Sequence, residues 1–184
     1  MLIIKNLLKF EYNLYKEINR IERTFMATLI LRETHNKLIE EMKLIDKLKI
    51  QTSHEIKEAA SHGDLKENYD YKAAKEKMNL ILNKKELLHS YMPFEFVDFQ
   101  YIGIEDVGFG NIVTIQEQGT DNPEEYYLLG PIEFELDLYP NIITYHSPFG
   151  NTIYGKKIND EFSLTIKRKE TNFKIIGIDR IKSE

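Results

Sequence analysis

The chain has 184 residues, of which 42% are hydrophobic and 30% are charged, a composition typical of soluble globular proteins that excludes disordered and membrane classes. It contains no cysteine, so disulfides and thiolate zinc sites are excluded and a reducing cytoplasm is the expected compartment. The sequence has no run of about 18 apolar residues, so no membrane span is predicted. Residues 93–184 carry eight basic and sixteen acidic side chains. Because phosphates would repel this acidic half, we expect it to meet a protein partner, and the N-terminal half to meet any nucleic acid.

The first 25 residues carry apolar side chains at near-helical spacing, which predicts an amphipathic helix that packs on the rest of the protein. Lys5 and Lys9 interrupt its apolar runs, so the segment is too short for the apolar region of a signal peptide. Met26 is an alternative start, which would make these residues an accessory extension. We assign residues 1–28 to an N-terminal helical extension.

Residues 29–92 have the pattern of a helical hairpin. No proline or glycine occurs from Leu31 to Ala60, and apolar residues recur there at steps of three and four, which predicts a helix of roughly 30 residues, about 45 Å long. Gly63 is expected to follow its end. A second helix is predicted from about Glu67 to Tyr91. Two long helices with a short connection should form an antiparallel coiled coil, with its tip at residues 63–70.

After Pro93 the sequence favours strands, and residues 93–184 are predicted to form a second, β-rich domain. β-branched and aromatic segments alternate with turn signals. They predict a largely antiparallel sheet of five or six strands, with a short helix or turn over 147–155. The candidate strands are 111–115, 126–129, 141–145, 161–166 and 173–178. The predicted fold class is therefore α+β.

Two carboxylates mark the predicted tip. Asp64 and Glu67 are three residues apart at the helix junction, where their oxygens could converge on a hard cation such as Mg²⁺. Two ligands make a weak site, which would need a partner that already supplies one ion and the substrate. A helix N-cap with a capping box is the alternative, and it is the commoner meaning of this pattern taken alone.

The longer string from Gly63 to Glu76 (GDLKENYDYKAAKE) closely resembles the tip of bacterial transcript-cleavage factors of the GreA/GreB family, closer to the GreA branch. The resemblance covers about residues 29–182. Outside the tip it is carried by residues 31–32, 37–41, 109–113, 125–130, 147–148 and 155–156.

This resemblance implies a factor that enters the secondary channel of bacterial RNA polymerase, while an FKBP-like C-terminal domain binds the channel rim. Asp64 and Glu67 would then be the catalytic carboxylates, helping to hold Mg²⁺ at the polymerase active centre, with no metal bound stably by the factor alone. The polymerase would hydrolyse the 3′ end of its backtracked RNA. The factor itself would be a monomer, would not be an enzyme and would not contact a membrane.

Further positions carry over from the same resemblance. Lys75 matches a position associated with backtracked RNA, although a solvated helix face is the alternative. Ser147 and Pro148 match a loop that contacts the polymerase rim, although Ser-Pro is also a simple turn signal. Asn68 and Tyr71 match supports of the tip, and Tyr71 could equally pack in the hairpin core.

The chain also departs from the family pattern. Tyr69 and Asp70 replace the usual Ala-Glu, and the aromatic ring either stacks on a nucleotide base or packs locally. Residues 146 and 149–154 also differ from the usual loop, which bears on rim affinity. Three alternatives therefore stay open: an inhibitory paralogue that occupies the channel without promoting cleavage, a prolyl isomerase or chaperone-like binder, and a structural adaptor.

Overall fold

The computed structural model describes residues 27–61, 63, 67–166 and 169–182. The predicted N-terminal helix and Asp64 lie outside the described residues. None of the described helices is long and apolar enough to cross a membrane.

Two long helices form the predicted hairpin: α1 spans Arg32–Ser61 and α2 spans Tyr69–Ser90. Both have an apolar stripe at helical spacing, and these stripes face each other. The buried apolar members are Leu38, Ile45, Ala59, Ala74 and Leu88. The helix predictions are therefore confirmed. The apolar period persists along both helices because neither segment contains a glycine or proline that would interrupt it.

Ion pairs between the two helices show that they run antiparallel. Lys77 pairs with Glu55 near the tip, and Lys84 pairs with Glu41 near the other end. These pairs are largely exposed, so each contributes little to stability. A further pair, Lys85 with Asp46, lies eight residues from Lys77 on α2 and nine residues from Glu55 on α1, as one antiparallel register requires.

The base of the hairpin contains a small sheet that the sequence did not predict. Strand β1 (Thr28–Leu31) precedes α1, and strand β2 (Phe94–Val97) follows α2; the two pair in parallel, with Thr28 opposite Phe94. The sheet therefore joins the two chain segments that lead into and out of the hairpin. Arg32 and Asp98 extend this link with an ion pair.

The C-terminal domain is built on one five-stranded sheet. Its strands are β3 (Asn111–Glu117), β4 (Pro123–Leu129), β5 (Ile142–Thr144), β6 (Glu161–Ile166) and β7 (Lys169–Arg180), and their order in the sheet is β5-β4-β3-β7-β6. Within this sheet only the β4–β5 pair is parallel, so the prediction of a largely antiparallel sheet is confirmed.

Short helices complete this domain. Helix α3 (Pro131–Glu135) connects β4 to β5, and α4 (Pro148–Ile153) connects β5 to β6; a single 3₁₀ turn covers Phe99–Tyr101. The expected short helix over 147–155 is thus present. Two aromatic side chains near the start of this domain, Phe96 and Tyr101, are exposed. Phe96 lies on a two-stranded sheet, where its ring contacts His35 and the Arg32 guanidinium at the surface.

The hairpin base and the C-terminal domain meet at the free edge of β1. The Leu29 N–H donates to the Tyr145 hydroxyl at 3.0 Å, and the Leu31 N–H donates to Glu133 Oε1 at 2.9 Å. Side chains of the C-terminal domain therefore satisfy edge groups that would otherwise be buried without partners. This junction fixes the hairpin to the domain.

Candidate functional site at the hairpin tip

The first helix ends in a turn that glycine makes possible. Ser61 Oγ donates to the carbonyl oxygen of Glu58 at 2.7 Å in the last turn of α1. Gly63 then adopts φ +87° and is exposed, with open space where a side chain would lie. Glycine is favoured here because a side chain strains this left-handed conformation. The prediction that Gly63 follows the end of α1 is confirmed.

Asn68 connects the two helices at the tip. Its Oδ1 accepts from the Tyr71 N–H at 3.0 Å, as an N-cap does, and its Nδ2 donates to the carbonyl oxygen of Ala59 at 2.7 Å. One side chain thus caps the start of α2 and ties it to the last turn of α1. The position of Asn68 supports the expectation that it braces the tip.

The N-cap position of Asn68 corrects the capping interpretation of Asp64 and Glu67. The second helix begins at Tyr69 and its N-cap is Asn68, whereas the alternative placed the helix start directly after Asp64. The pattern misled because asparagine and aspartate are equally good caps, and Asn68 lies closer to the observed start. The helix cap therefore does not explain the carboxylate of Glu67.

The described carboxylates of the tip are open to solvent. Glu67 and Asp70 are exposed, whereas Asp64 lies outside the described residues. Over the described ranges, no group of three or more histidine, aspartate or glutamate side chains could hold a metal ion. An exposed carboxylate with oxygen donors fits a hard cation chemically, but only as part of a site completed by other ligands.

Two tyrosine–lysine pairs follow the carboxylates on α2. The Lys72 Nζ lies 5.6 Å from the ring centre of Tyr69, and the Lys75 Nζ lies 5.5 Å from that of Tyr71. Tyr71 is half-buried, whereas the side chain of Tyr69 is 84% exposed. The Tyr69 ring is therefore largely open to solvent, and its local contact is with Lys72.

Ser147 and Pro148 lie far along the chain, at the start of α4. Ser147 is the N-cap, and its Oγ accepts from the Gly150 N–H at 3.0 Å; Pro148 occupies the first helical position and is exposed. Serine and proline are both favoured at these positions. The turn signal thus marks a helix start, which leaves the pyrrolidine ring free at the surface.

Comparison with known proteins identifies two matching family models. Residues 28–92 match "Transcription elongation factor, N-terminal", and residues 104–180 match "Transcription elongation factor, GreA/GreB, C-term". Together these ranges span most of the chain. The chain belongs to the GreA/GreB family of transcription elongation factors.

Individual relatives agree with this membership. The chain is 30% identical over 162 residues to a transcription elongation factor GreA of Streptococcus suis, covering 88% of this chain and 99% of that protein. The GreA of Streptococcus gordonii is 31% identical with the same coverage. A solved structure of GreA factor homolog 1 (Gfh1) of Thermus thermophilus aligns with 84% of this chain and 99% of its own, at 18% identity and a TM-score of 0.39.

One buried residue of this GreA/GreB-family chain escaped sequence analysis. Glu133 is fully buried, and besides the Leu31 bond it accepts from the Gly130 N–H at 3.2 Å. Burial raises the pKa of this carboxyl, and the backbone hydrogen bonds oppose that effect. Gly130-Pro131 followed by glutamate at the third helical position was the available signal, since it is typical of a helix start.

Proposed function

We propose that this GreA/GreB-family factor inserts its hairpin through the secondary channel of a bacterial RNA polymerase and stimulates cleavage of backtracked RNA. The hairpin carries the proposal, because α1 has 30 residues and therefore spans about 45 Å. Most of its surface faces solvent, and its buried stripe is narrow. A helix pair of this length reaches far beyond the core of the C-terminal domain, as a probe of a deep channel must.

The tip carboxylates supply the proposed chemistry. Glu67, together with Asp64, would complete the coordination of a Mg²⁺ ion that the polymerase already holds in part. The chemistry that such an ion would supply is activation of water or stabilisation of the leaving oxygen in phosphodiester cleavage. The hydrolysis belongs to the polymerase, so we propose a cofactor of that enzyme, acting as a monomer in the cytoplasm.

The Asn68 connection makes the tip suitable for this task. A metal ligand binds best when it is already held near its productive position, because ordering a mobile carboxylate costs conformational entropy and weakens binding. Asn68 stands directly after Glu67 and bonds to both helices. Glu67 is therefore attached to a fixed point of the backbone. Lys75, one helical turn beyond Tyr71, is proposed to contact the backtracked RNA.

We propose that the C-terminal domain provides the surface that binds the channel rim. A groove of about 430 Å³ runs beside α4, and its lining includes Ser147, Phe149 and the exposed Phe134. Apolar side chains within a polar surround are typical of protein interfaces. We propose that Ser147 and Pro148 contact the polymerase at this groove.

The test is RNA cleavage in stalled, backtracked complexes of the cognate polymerase with Mg²⁺, with and without the protein. We expect faster release of short 3′ fragments, lost in Asp64→Asn and Glu67→Gln, because each substitution removes a charged metal ligand. Binding to the polymerase should stay nearly unchanged. Glu86→Gln is the matched control, since Glu86 is exposed on α2 toward the hairpin base. An equal loss of binding in the tip variants would contradict a catalytic role for the tip.

An inhibitory channel binder is the second candidate, and the exposed Tyr69 favours it. A bulky ring beside Glu67 could obstruct the approach of the carboxylates. Polymerase binding without stimulated cleavage would support this candidate. Restored cleavage in Tyr69→Ala would then identify the ring as the obstruction.

A further inference from the structure

Tyr69 is an aromatic side chain that the fold leaves without a packing role. With 84% of its surface exposed, it is the most exposed of the large apolar side chains in the described part of the chain. An exposed tyrosine leaves its apolar ring in water, so it contributes no free energy of burial to the core. The buried side chains of this helix, Ala74 and Leu88, contribute to the hairpin core instead.

The backbone beneath this ring is held in place. Tyr69 is the first residue of α2, directly after the N-cap Asn68. The Lys72 Nζ lies over the ring at 5.6 Å, because residues three apart on a helix share one face. The result is an aromatic surface with one cation beside it, displayed at the outer end of a long hairpin.

This combination matches the chemistry of a nucleotide. Exposed aromatic rings bind single-stranded nucleic acid by stacking on bases, and lysines bind the phosphates. Stacking tolerates any base, because every base has a π-face. The second lysine, Lys75, lies about one turn farther along the helix, so the cations follow the aromatic ring toward the hairpin base.

We propose that Tyr69 and Lys72 form a binding site for the 3′-terminal segment of single-stranded RNA. The Tyr69 ring stacks on a base, and the Lys72 ammonium binds an adjacent phosphate. The inference rests on the proposed function, which brings RNA to this end of the hairpin. It adds a site that holds the extruded nucleotide two residues from the carboxylate of Glu67.

The site has a specific kinetic consequence. Because stacking holds the RNA and does not coordinate the metal, its loss should weaken binding of the backtracked state more than it slows the bond-breaking step. Purines offer a larger π-face than pyrimidines, so a purine at the RNA 3′ end should gain more from the ring.

The experiment compares wild type, Tyr69→Ala and Tyr69→Phe in backtracked complexes whose RNA ends in a purine or a pyrimidine. We expect Tyr69→Ala to raise the factor concentration for half-maximal cleavage by about five- to tenfold, as the loss of one stacked base predicts. Tyr69→Phe keeps the ring and should restore wild-type behaviour. Tyr101→Ala is the matched control, because Tyr101 is 76% exposed but lies outside the hairpin.

A second readout does not depend on cleavage. RNA carrying a photoreactive thio-base at its 3′ end is irradiated in the complex with Mg²⁺ withheld, and the crosslinked peptide is identified. We expect crosslinks to the Tyr69 peptide, reduced in Tyr69→Ala.

The outcomes separate this inference from the function on which it rests. If wild type stimulates cleavage while Tyr69→Ala matches it for both RNA ends and crosslinks equally, the stacking site is wrong and the proposed function stands. If wild type neither binds the polymerase nor stimulates cleavage, both are wrong. If Tyr69→Ala cleaves faster than wild type, the ring is an obstruction and the stacking site is overturned.

Discussion

Replacing Glu133 with alanine should destabilise the whole protein, because this buried carboxylate joins the hairpin base to the C-terminal domain. The substitution leaves the N–H groups of Leu31 and Gly130 buried without acceptors. Each unsatisfied group costs about 1–3 kcal/mol, so the pair costs roughly 2–6 kcal/mol. Removing the carboxyl also returns part of the desolvation cost that raises its pKa.

A cost at the lower end of that range is therefore expected, about 2–3 kcal/mol. For a protein of this size each kcal/mol shifts the melting temperature by about 2–4 °C, so Glu133→Ala should melt roughly 4–12 °C below wild type. Thermal unfolding followed by circular dichroism measures this shift. Glu125→Ala is the control, because Glu125 is exposed on β4 and its loss should change the free energy of unfolding by less than about 0.5 kcal/mol. Equal melting temperatures for Glu133→Ala and Glu125→Ala would refute the reasoning.

The same residue gives a pH dependence whose sign follows from its raised pKa. The folded protein binds this proton more tightly than the unfolded chain does, so the stabilisation is fully present below the unfolded pKa of about 4.3 and is lost as the pH rises through the folded pKa. Glutamine does not titrate. The free energy of unfolding of wild type relative to Glu133→Gln should therefore fall across that window and stay constant above it. A rise across the window would refute the assignment.

Two further predictions concern the tip and the C-terminal domain. Asn68→Ala removes the helix cap and the bond to Ala59, so it should cost about 1–2 kcal/mol in denaturant unfolding and reduce cleavage stimulation. Asn68→Asp keeps the cap acceptor, loses only the donated bond to Ala59 and should therefore lose less stability; equal losses in the two variants would show that the cap contributes nothing. Pro148→Ala should raise the factor concentration needed for half-maximal cleavage while leaving the plateau unchanged, since in the proposed complex the exposed ring contacts the polymerase and not the reacting groups; a lowered plateau would contradict a role at the rim.

The hairpin could be predicted from sequence because its period persists through two long segments without glycine or proline. Strand β1 could not, because Leu29-Ile30-Leu31 is a short apolar run that fits a strand or the start of a helix equally well. Its partner β2 lies beyond the entire hairpin, so no local pattern indicates their pairing. The sequence pattern likewise suggested Asp64 as the helix cap, and only the observed start of α2 identifies Asn68 as its N-cap.

The candidate site shows the same division between local and distant information. Its carboxylates and Lys75 were predicted by resemblance to a family motif. The exposure of Tyr69 depends on which face of α2 packs on α1. The periodic pattern does not determine this face for the first residue of the helix. The role of Glu133 depends on Leu31, 102 residues away, and a glutamate on a short helix is usually exposed.

The fixed base of the hairpin has a mechanical consequence. A rod about 45 Å long that pivots by about 5° at one end moves its other end by about 4 Å, which equals the separation of two metal ions in a phosphodiester-cleaving centre. In the proposed complex, a small rotation at the β1–β2 sheet would therefore move the tip carboxylates out of reach of the metal ion. The hydrogen bonds from Leu29 and Leu31 to the C-terminal domain act at the pivot, where the leverage is greatest. The position of the hairpin tip thus depends on a few backbone hydrogen bonds at the hairpin base.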